Sequence, residues 1–143
     1  MIRAQCANYC LHVNILNMAI AFARISYHSR SQGHSAVAGA AYRAGVELKD
    51  NRTGEVHSFK NRSDVIYSEI LLPEGAAIQF KDRETLWNAV EAAEMRRNSQ
   101  IAKDIVLALP RDLDLSLQID LARNFANSHF VRYGIVADIA IHS

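Results

Sequence analysis

The chain has 143 residues, half of them hydrophobic, which suffices for the core of one domain. Its 16 basic and 15 acidic residues give a formal net charge of +1, so overall charge does not indicate a nucleic-acid partner, and any basic footprint has to be local. The apolar stretches are too short for a membrane span of about 20 residues. Both cysteines, Cys6 and Cys10, lie near the start of the chain, which excludes a disulfide framework and favours a reducing cytoplasm.

The first segment, 1–17, lacks the continuous apolar region of a secretory signal and is interpreted as a leader or upstream extension. Met18 is interpreted as the natural start of a domain that covers 18–143. A strand is predicted from Met18 onward, with Ile20, Phe22 and Arg24 on one face. The alternative for this stretch is a short helix packed against the sheet.

A short helix built mainly from alanine and glycine is predicted over 35–44. Its small side chains let the backbone lie close to a sheet, and Gly45 can end it in a left-handed conformation. The polar loop 29–35 leads into the helix N-terminus, where backbone N–H groups could hold a phosphate. Arg30 and Arg43 could hold the neighbouring phosphates.

The pattern of the remaining sequence predicts a hairpin, two longer helices and three more strands. The hairpin strands are predicted at 46–49 and 55–59, further strands at 65–72, 101–109 and 135–142, and helices at 82–97 and 116–132. Helices and strands mix without a strict βαβ repeat. This order favours an α+β fold with a largely antiparallel sheet.

The predicted strands at 101–109 and 135–142 each have a bulky apolar face, expected to meet the helices, and a small-residue face that carries an acid. Asp104 and His142 fall on these small-residue faces. If the two strands were neighbours, both side chains would line one shallow polar site. A carboxylate there could accept the ring N–H of a metal-binding histidine and fix its tautomer. The alternative interpretation of Asp104 is a charge that faces solvent. The alternative for His142 is a half-exposed histidine at the end of a strand.

A tyrosine near a helix end and a histidine at a strand end together suggest covalent attack on a phosphodiester. Tyr42 would be the nucleophile and His142 a ligand of the metal that assists it. A phenol, with a pKa of about 10, attacks poorly near neutral pH unless a base or metal assists. The alternative is that Tyr42 is a core residue that ends its helix. Candidate DNA contacts surround this segment, with a solvated surface as the alternative: Arg24, Arg30, His34 and Arg43.

Taken together, these segments resemble the relaxase domain of the MobA/MobL family, and most closely the N-terminal part of TraA-type conjugative transfer proteins. The resemblance covers 18–143, and residues 1–17 have no counterpart. The matching stretches are SRSQGHSAVAGAAYRAG (29–45), RTGEVHSF (52–59), SEILLPEGA (68–76), LWNAVEAAE (86–94), AKDIVLALP (102–110) and VADIAIH (136–142).

The resemblance implies a histidine-hydrophobe-histidine (HUH) endonuclease with a ferredoxin-like antiparallel sheet and helices packed on one face. Such enzymes nick one strand of plasmid DNA at the origin of transfer and keep its 5′ end on a tyrosine. Three histidines hold a divalent metal, Mg²⁺ or Mn²⁺. Tyr42 matches the nucleophile, His142 the first histidine ligand, and Asp104 an acidic position close to the metal. The implied partner is single-stranded DNA in the bacterial cytoplasm, other conjugation proteins are compatible with it, and no membrane is involved.

The sequence departs from the family pattern after His142. In the family a His-x-His pair follows, usually after Asn-Pro, whereas this sequence ends at Ser143. The resulting hypothesis is a truncated relaxase with little or no nicking activity by itself. An open sheet edge would also promote self-association. The alternatives are a non-catalytic single-stranded DNA-binding module and an α+β interaction domain with no nucleic-acid role.

Overall fold

The structure is a computed structural model that describes residues 2–6, as backbone only, and 23–29, 33, 35–94, 96 and 99–143. The helices are α1 (Ala36–Ala44), α2 (Arg83–Ala93) and α3 (Leu115–His129). The strands are β1 (Ile2–Cys6), β2 (Ala23–Ser29), β3 (Glu47–Lys49), β4 (Val56–Ser58), β5 (Val65–Leu71), β6 (Gln100–Leu107) and β7 (Ala137–His142). None of the helices in this part of the chain is long and apolar enough to cross a membrane.

Five of these strands form one sheet in the order β2–β6–β1–β7–β5, and every neighbouring pair is antiparallel. Because β1 is antiparallel to both of its neighbours, β6 and β7 run parallel to each other and end at the same edge of the sheet. Strand β5 begins at that edge, where Val65 pairs with His142. Strands β3 and β4 form a separate hairpin, as the sequence predicted.

Helices cover both faces of the large sheet. Ile139 and Ile141 of β7 pack into a core with Phe125 of α3. Asp138, on the opposite face of β7, accepts a hydrogen bond of 2.8 Å from the indole of Trp87 on α2. Side chains alternate along a strand, so α3 lies on one face and α2 on the other.

The predicted α+β class with an antiparallel sheet is confirmed, whereas the expected placement of all helices on one face is not what the structure shows. The small-residue face, expected to form an open polar floor, includes Ala102, which packs into a buried cluster with Ala36, Ala40 and Ala41 of α1. Small side chains on both surfaces permit this close approach. The alanine-rich helix α1 therefore packs closely on the sheet, as the sequence predicted. It does so on the small-residue face, which was expected to be open.

Five residues of the segment interpreted as a leader belong to the sheet. Ile2–Cys6 form β1, which pairs with β6 on one side and with β7 on the other. The domain boundary at residue 18 stays a prediction. The strand predicted from Met18 is observed from Ala23, while Ile20 and Phe22 lie outside the described residues.

Helix α1 has defined signals at both ends. The Ser35 hydroxyl accepts a hydrogen bond of 3.1 Å from the Ala38 N–H, which satisfies one of the free donors of the first turn. Gly45 adopts φ 65° and its N–H donates to the Ala41 carbonyl, so the helix ends in the predicted left-handed cap. These caps fix the position of Tyr42 in the last turn.

Candidate active site

Tyr42 lies on the outer side of α1 with 41% of its surface exposed. Its ring meets the ring of Phe59 edge-on, with 5.3 Å between the centroids. The guanidinium carbon of Arg62 lies 4.0 Å from the centroid of the Tyr42 ring. The phenol is therefore a surface group held by two neighbours, and the alternative of a core tyrosine does not apply.

Arg62, in the loop before β5, joins Tyr42 to the edge of the sheet. Its Nη1 donates to the Tyr42 backbone carbonyl at 2.8 Å, and its Nε donates to Asp64 Oδ1 at 2.9 Å. Nη2 donates to the other oxygen of Asp64 and lies 3.3 Å from His142 Nδ1. One guanidinium thus contacts Tyr42, Asp64 and His142.

Asp64 is the carboxylate beside His142. Asp64 Oδ2 lies 3.1 Å from His142 Nδ1, and the Ser143 N–H donates to the Asp64 carbonyl at 2.8 Å. The Arg62 guanidinium, followed by the hydrogen bond with His142, holds the pKa of Asp64 well below its usual range. Nδ1 of His142 therefore lies within hydrogen-bond distance of both the Asp64 carboxylate and the Arg62 guanidinium, which orient the imidazole ring.

A cleft of about 610 Å³ opens beside this group, at the edge where β6 and β7 end. It combines two guanidinium groups with apolar side chains, a combination suited to a phosphate and an attached base. Its lining residues are Arg62, Asp64, Ile66, Ala108, Leu109, Arg111, Gln118, His142 and Ser143.

Asp104 lies on the same sheet face as His142, as predicted, but not beside it. In register, Asp104 pairs with Gln5 and Gln5 with Asp138, so Asp104 is level with Asp138. His142 is four residues farther along β7, about 13 Å along the strand. The prediction of a shared site assumed that β6 and β7 are neighbours, whereas β1 lies between them.

Asp104 instead forms a buried cluster beneath α1. Its Oδ2 lies 2.6 Å from His28 Nε2 and accepts a hydrogen bond of 3.2 Å from Arg43 Nη1. Arg43 is only 6% exposed, and its guanidinium packs against Gly39, where a Cβ atom would lie 2.9 Å from Nη1. Contact of Arg43 with DNA stays a prediction, while the structure gives the Arg43 guanidinium a partner, Asp104, inside the protein.

The other candidate DNA contacts have different outcomes. Arg24 lies on β2 and is exposed, level with Val106 of β6, so it stays a candidate. Arg30 and His34 lie outside the described residues.

The N-terminus of α1 is occupied by carboxylates of the protein. The Ala36 N–H donates to Glu91 Oε1 at 2.6 Å, and the Ser35 hydroxyl donates to Asp50 Oδ2 at 2.7 Å. Both Glu91 and Asp50 are buried. The Ala36 N–H is therefore already bound to a buried carboxylate. The phosphate expected on the N–H groups of loop 29–35 stays a prediction, because most of that loop lies outside the described residues.

Within the described ranges, no group of three or more His, Cys, Asp or Glu side chains is arranged to hold a metal ion. Asp64 contacts His142 through Nδ1, which is the arrangement of a carboxylate that orients a ligand histidine. These residues supply one imidazole and do not by themselves fit a metal, so no chemical step is assigned to one.

Sequence reasoning missed Arg62 and Asp64. Their closeness to His142 depends on the pairing of β5 with β7, which joins segments about 80 residues apart in the chain. The available signal was local and weak, an Arg-Ser-Asp tripeptide immediately before the strand predicted at 65–72.

Comparison with known proteins finds similar chains and a similar fold. A solved structure described as the molecular basis of vancomycin resistance transfer in Staphylococcus aureus matches with a TM-score of 0.72 and 34% identity, over 85% of this chain and 69% of that one. The mobilization protein MobL of Acidithiobacillus ferridurans is 42% identical over 80% of this chain and 30% of its own length.

Two further relatives are similar over most of the chain. The conjugal transfer protein TraA of Rhizobium radiobacter is 34% identical over 87% of this chain and 12% of its own length. A probable mobilization protein MobA of Bifidobacterium longum is 35% identical over 87% of this chain and 22% of its own length. The chain therefore spans less than a third of the curated relatives it matches. The MobA/MobL family model matches residues 34–143, and the chain belongs to the MobA/MobL family.

Proposed function

We propose that this chain is the nucleophile-bearing part of a conjugative DNA relaxase. The Tyr42 phenol oxygen attacks a phosphodiester in one DNA strand at an origin of transfer. An Oη–P bond forms, the P–O3′ bond breaks, and the strand stays attached through its 5′ phosphate. The phenol proton passes to solvent, and the 3′ oxygen leaves as a hydroxyl. The observation that carries the proposal is that the exposed Tyr42 and the sheet-edge His142 both contact Arg62 beside a cationic cleft.

The residues around Tyr42 support this role by holding it in place. Helix α1 is capped at both ends, and the Arg62 guanidinium binds both the ring and the carbonyl of Tyr42. A nucleophile held in one position loses less entropy when it reacts. Arg111 places positive charge beside the cleft, where a phosphate gains negative charge during attack.

Metal dependence is part of the same proposal. The ion would be Mg²⁺ or Mn²⁺, and His142 would be one of its ligands. The described residues do not complete such a site. We therefore expect adduct formation by this chain to be slow with natural DNA, and the test uses a substrate with a better leaving group.

The test is covalent capture of single-stranded oligonucleotides that carry a 3′-bridging sulfur at the target phosphate and randomised flanking sequence. Attack releases a 3′ thiolate, which leaves more easily than an alkoxide. We expect a denaturant-stable protein–DNA band whose formation Tyr42→Phe abolishes, with oligonucleotide affinity nearly unchanged. Tyr27→Phe is the matched control, because Tyr27 is also exposed, at 48%, and lies on β2. A band that persists in Tyr42→Phe contradicts the proposal.

A non-catalytic single-stranded DNA-binding module is the second candidate. The observation that favours it is the cleft itself, since two guanidinium groups beside apolar side chains can hold a nucleotide without any chemistry. This candidate predicts salt-sensitive oligonucleotide binding and no covalent band in the wild-type protein. Binding that is absent at low salt would leave the third alternative, an interaction domain with no nucleic-acid role.

A further inference from the structure

Arg62 makes more directed contacts around Tyr42 than a solvated surface arginine needs. Its Nε and Nη2 grip both oxygens of Asp64, and its Nη1 donates to the Tyr42 carbonyl at 2.8 Å. The same planar group lies over the Tyr42 ring, 4.0 Å from the centroid. A guanidinium bound along its edges and stacked on its face has a single orientation.

Two features fix this arginine relative to the sheet. Asp64 immediately precedes β5, whose first residue, Val65, pairs with His142. Gly45, at the end of α1, lies so close that a Cβ atom there would be 3.0 Å from Val65 Cγ2 and 3.7 Å from Arg62 Cβ. The end of α1 and the start of β5 are therefore packed together, with the Arg62 side chain spanning the contact.

We propose that Arg62 is a positioning residue that sets the Tyr42 phenol for attack on DNA, acting through the ring and not as a phosphate ligand. This inference rests on the proposed function, because it assigns Arg62 a role in the reaction of Tyr42. Asp64 holds the guanidinium in place, because Nε and Nη2 of Arg62 donate to its two carboxylate oxygens. A lysine at this position would keep the positive charge but lose the planar fork and the stacking surface.

The first part of the test compares adduct formation by wild type, Arg62→Lys and Arg62→Met on saturating phosphorothiolate oligonucleotide. We expect the rate to fall at least about tenfold in both variants, because a small misplacement of a nucleophile costs up to about a hundredfold. Oligonucleotide affinity and its salt dependence should change less than about twofold in Arg62→Lys. A tenfold loss of affinity at an unchanged saturated rate would make Arg62 a phosphate ligand and overturn the proposal.

The matched control is Arg123→Lys on the other side of the sheet. Arg123 also binds a carboxylate and a tyrosine, since its Nε donates to Glu69 at 2.7 Å and its Nη2 donates to the Tyr67 hydroxyl at 2.8 Å. Arg123→Lys should leave the rate at Tyr42 unchanged. An equal fall in both lysine variants would indicate a general structural effect and overturn the assignment.

The second part of the test does not depend on catalysis. Protein labelled with 3-fluorotyrosine gives a ¹⁹F resonance for Tyr42, identified by its loss in Tyr42→Phe. In Arg62→Lys this resonance should move toward the random-coil position, whereas in Arg123→Lys it should not. If wild type forms no adduct, the proposed function fails, and the fluorine shift still decides whether Arg62 orients the ring. An unchanged Tyr42 resonance in Arg62→Lys overturns the proposal in every case.

Discussion

Two clusters in this molecule contain the same three residue types, an arginine, an aspartate and a histidine. One lies beneath α1, where the Asp104 side chain is 12% exposed. The other lies at the sheet edge, where the Asp64 side chain is 40% exposed. The first cluster joins α1 to β6 and β2, and the second joins the end of α1 to β5 and β7.

The two clusters differ in the burial of their arginine and aspartate, and not in composition. The Arg62 and Asp64 side chains are more exposed than those of Arg43 and Asp104. Arg43 and Arg62 are both neighbours of Tyr42. Arg43 is next to it in sequence, and the Arg62 guanidinium stacks on its ring. The charge of Arg43 is enclosed and compensated by Asp104, whereas Arg62 lies beside the open cleft. Loss of a partner should therefore destabilise the buried cluster far more than the exposed one.

The largest expected effect is from Asp104→Asn, because it leaves the buried Arg43 guanidinium without its compensating charge. We expect a loss of about 3 kcal/mol in the free energy of unfolding, measured by urea denaturation. Asp64→Asn is the matched variant and should cost much less, since solvent screens that pair. Equal losses in the two variants would remove the proposed difference between the clusters.

The next largest effect is expected at the N-terminus of α1, where a buried carboxylate contributes to the stability of the fold. Glu91→Ala removes the carboxylate that accepts the Ala36 N–H at 2.6 Å. Hydrogen bonds to charged groups contribute more than neutral ones, so we expect a loss of about 2 kcal/mol. Glu74→Ala, at an exposed residue after β5, should be close to neutral in the same denaturation experiment. A neutral Glu91→Ala would show that this contact does not hold the helix.

A smaller effect is expected from Gly39→Ala. Alanine favours a helix, but its Cβ would lie 2.9 Å from Arg43 Nη1, and moving that guanidinium weakens its bond to Asp104. We expect a net loss of about 1 kcal/mol, because a hydrogen bond between charged groups contributes about 2 kcal/mol and the gain in helix propensity is only about 1 kcal/mol. In an Asp104→Asn background the same substitution should cost less, since both changes act on Arg43. Strict additivity would contradict this coupling.

The smallest effect concerns pH at the exposed cluster. The Arg62 guanidinium, and then the hydrogen bond with His142, lower the pKa of Asp64, so its contribution to stability is present above the ordinary carboxyl pKa. That contribution is lost only as pH falls through the lower folded value. The side-chain ¹³C shift of Asp64 should therefore stay constant from pH 7 down to about 4, where an ordinary aspartate already titrates. A midpoint at or above 4 would show that Arg62 does not hold this carboxylate.

Local patterns in the sequence located most elements closely. The helix predicted at 35–44 is observed at Ala36–Ala44, and the predicted strand at 101–109 at Gln100–Leu107, because caps and alternation are read from neighbouring residues. The helix predicted at 82–97 ends at Ala93 in the structure. The face shared by Asp104 and His142 also followed from alternation.

Long-range pairing could not be predicted in the same way. The insertion of β1 between β6 and β7 separates Asp104 from His142, and no local pattern in Ile2–Cys6 indicates it. The roles of Arg62 and Asp64 depend on the same kind of pairing. The burial of Arg43 had a weak local signal, since Gly39 is four residues earlier on the helix and leaves room for a side chain to fold back.

The most direct test of Tyr42 as the nucleophile is to map the DNA adduct by mass spectrometry after trypsin digestion of the captured protein. Tyr42 is the single tyrosine of the tryptic peptide 31–43. We expect this peptide to carry the nucleotide mass and the other tyrosine-containing peptides to remain unmodified. An adduct on Tyr27, Tyr67 or Tyr133, or an unmodified peptide 31–43 in protein that has captured DNA, would contradict it.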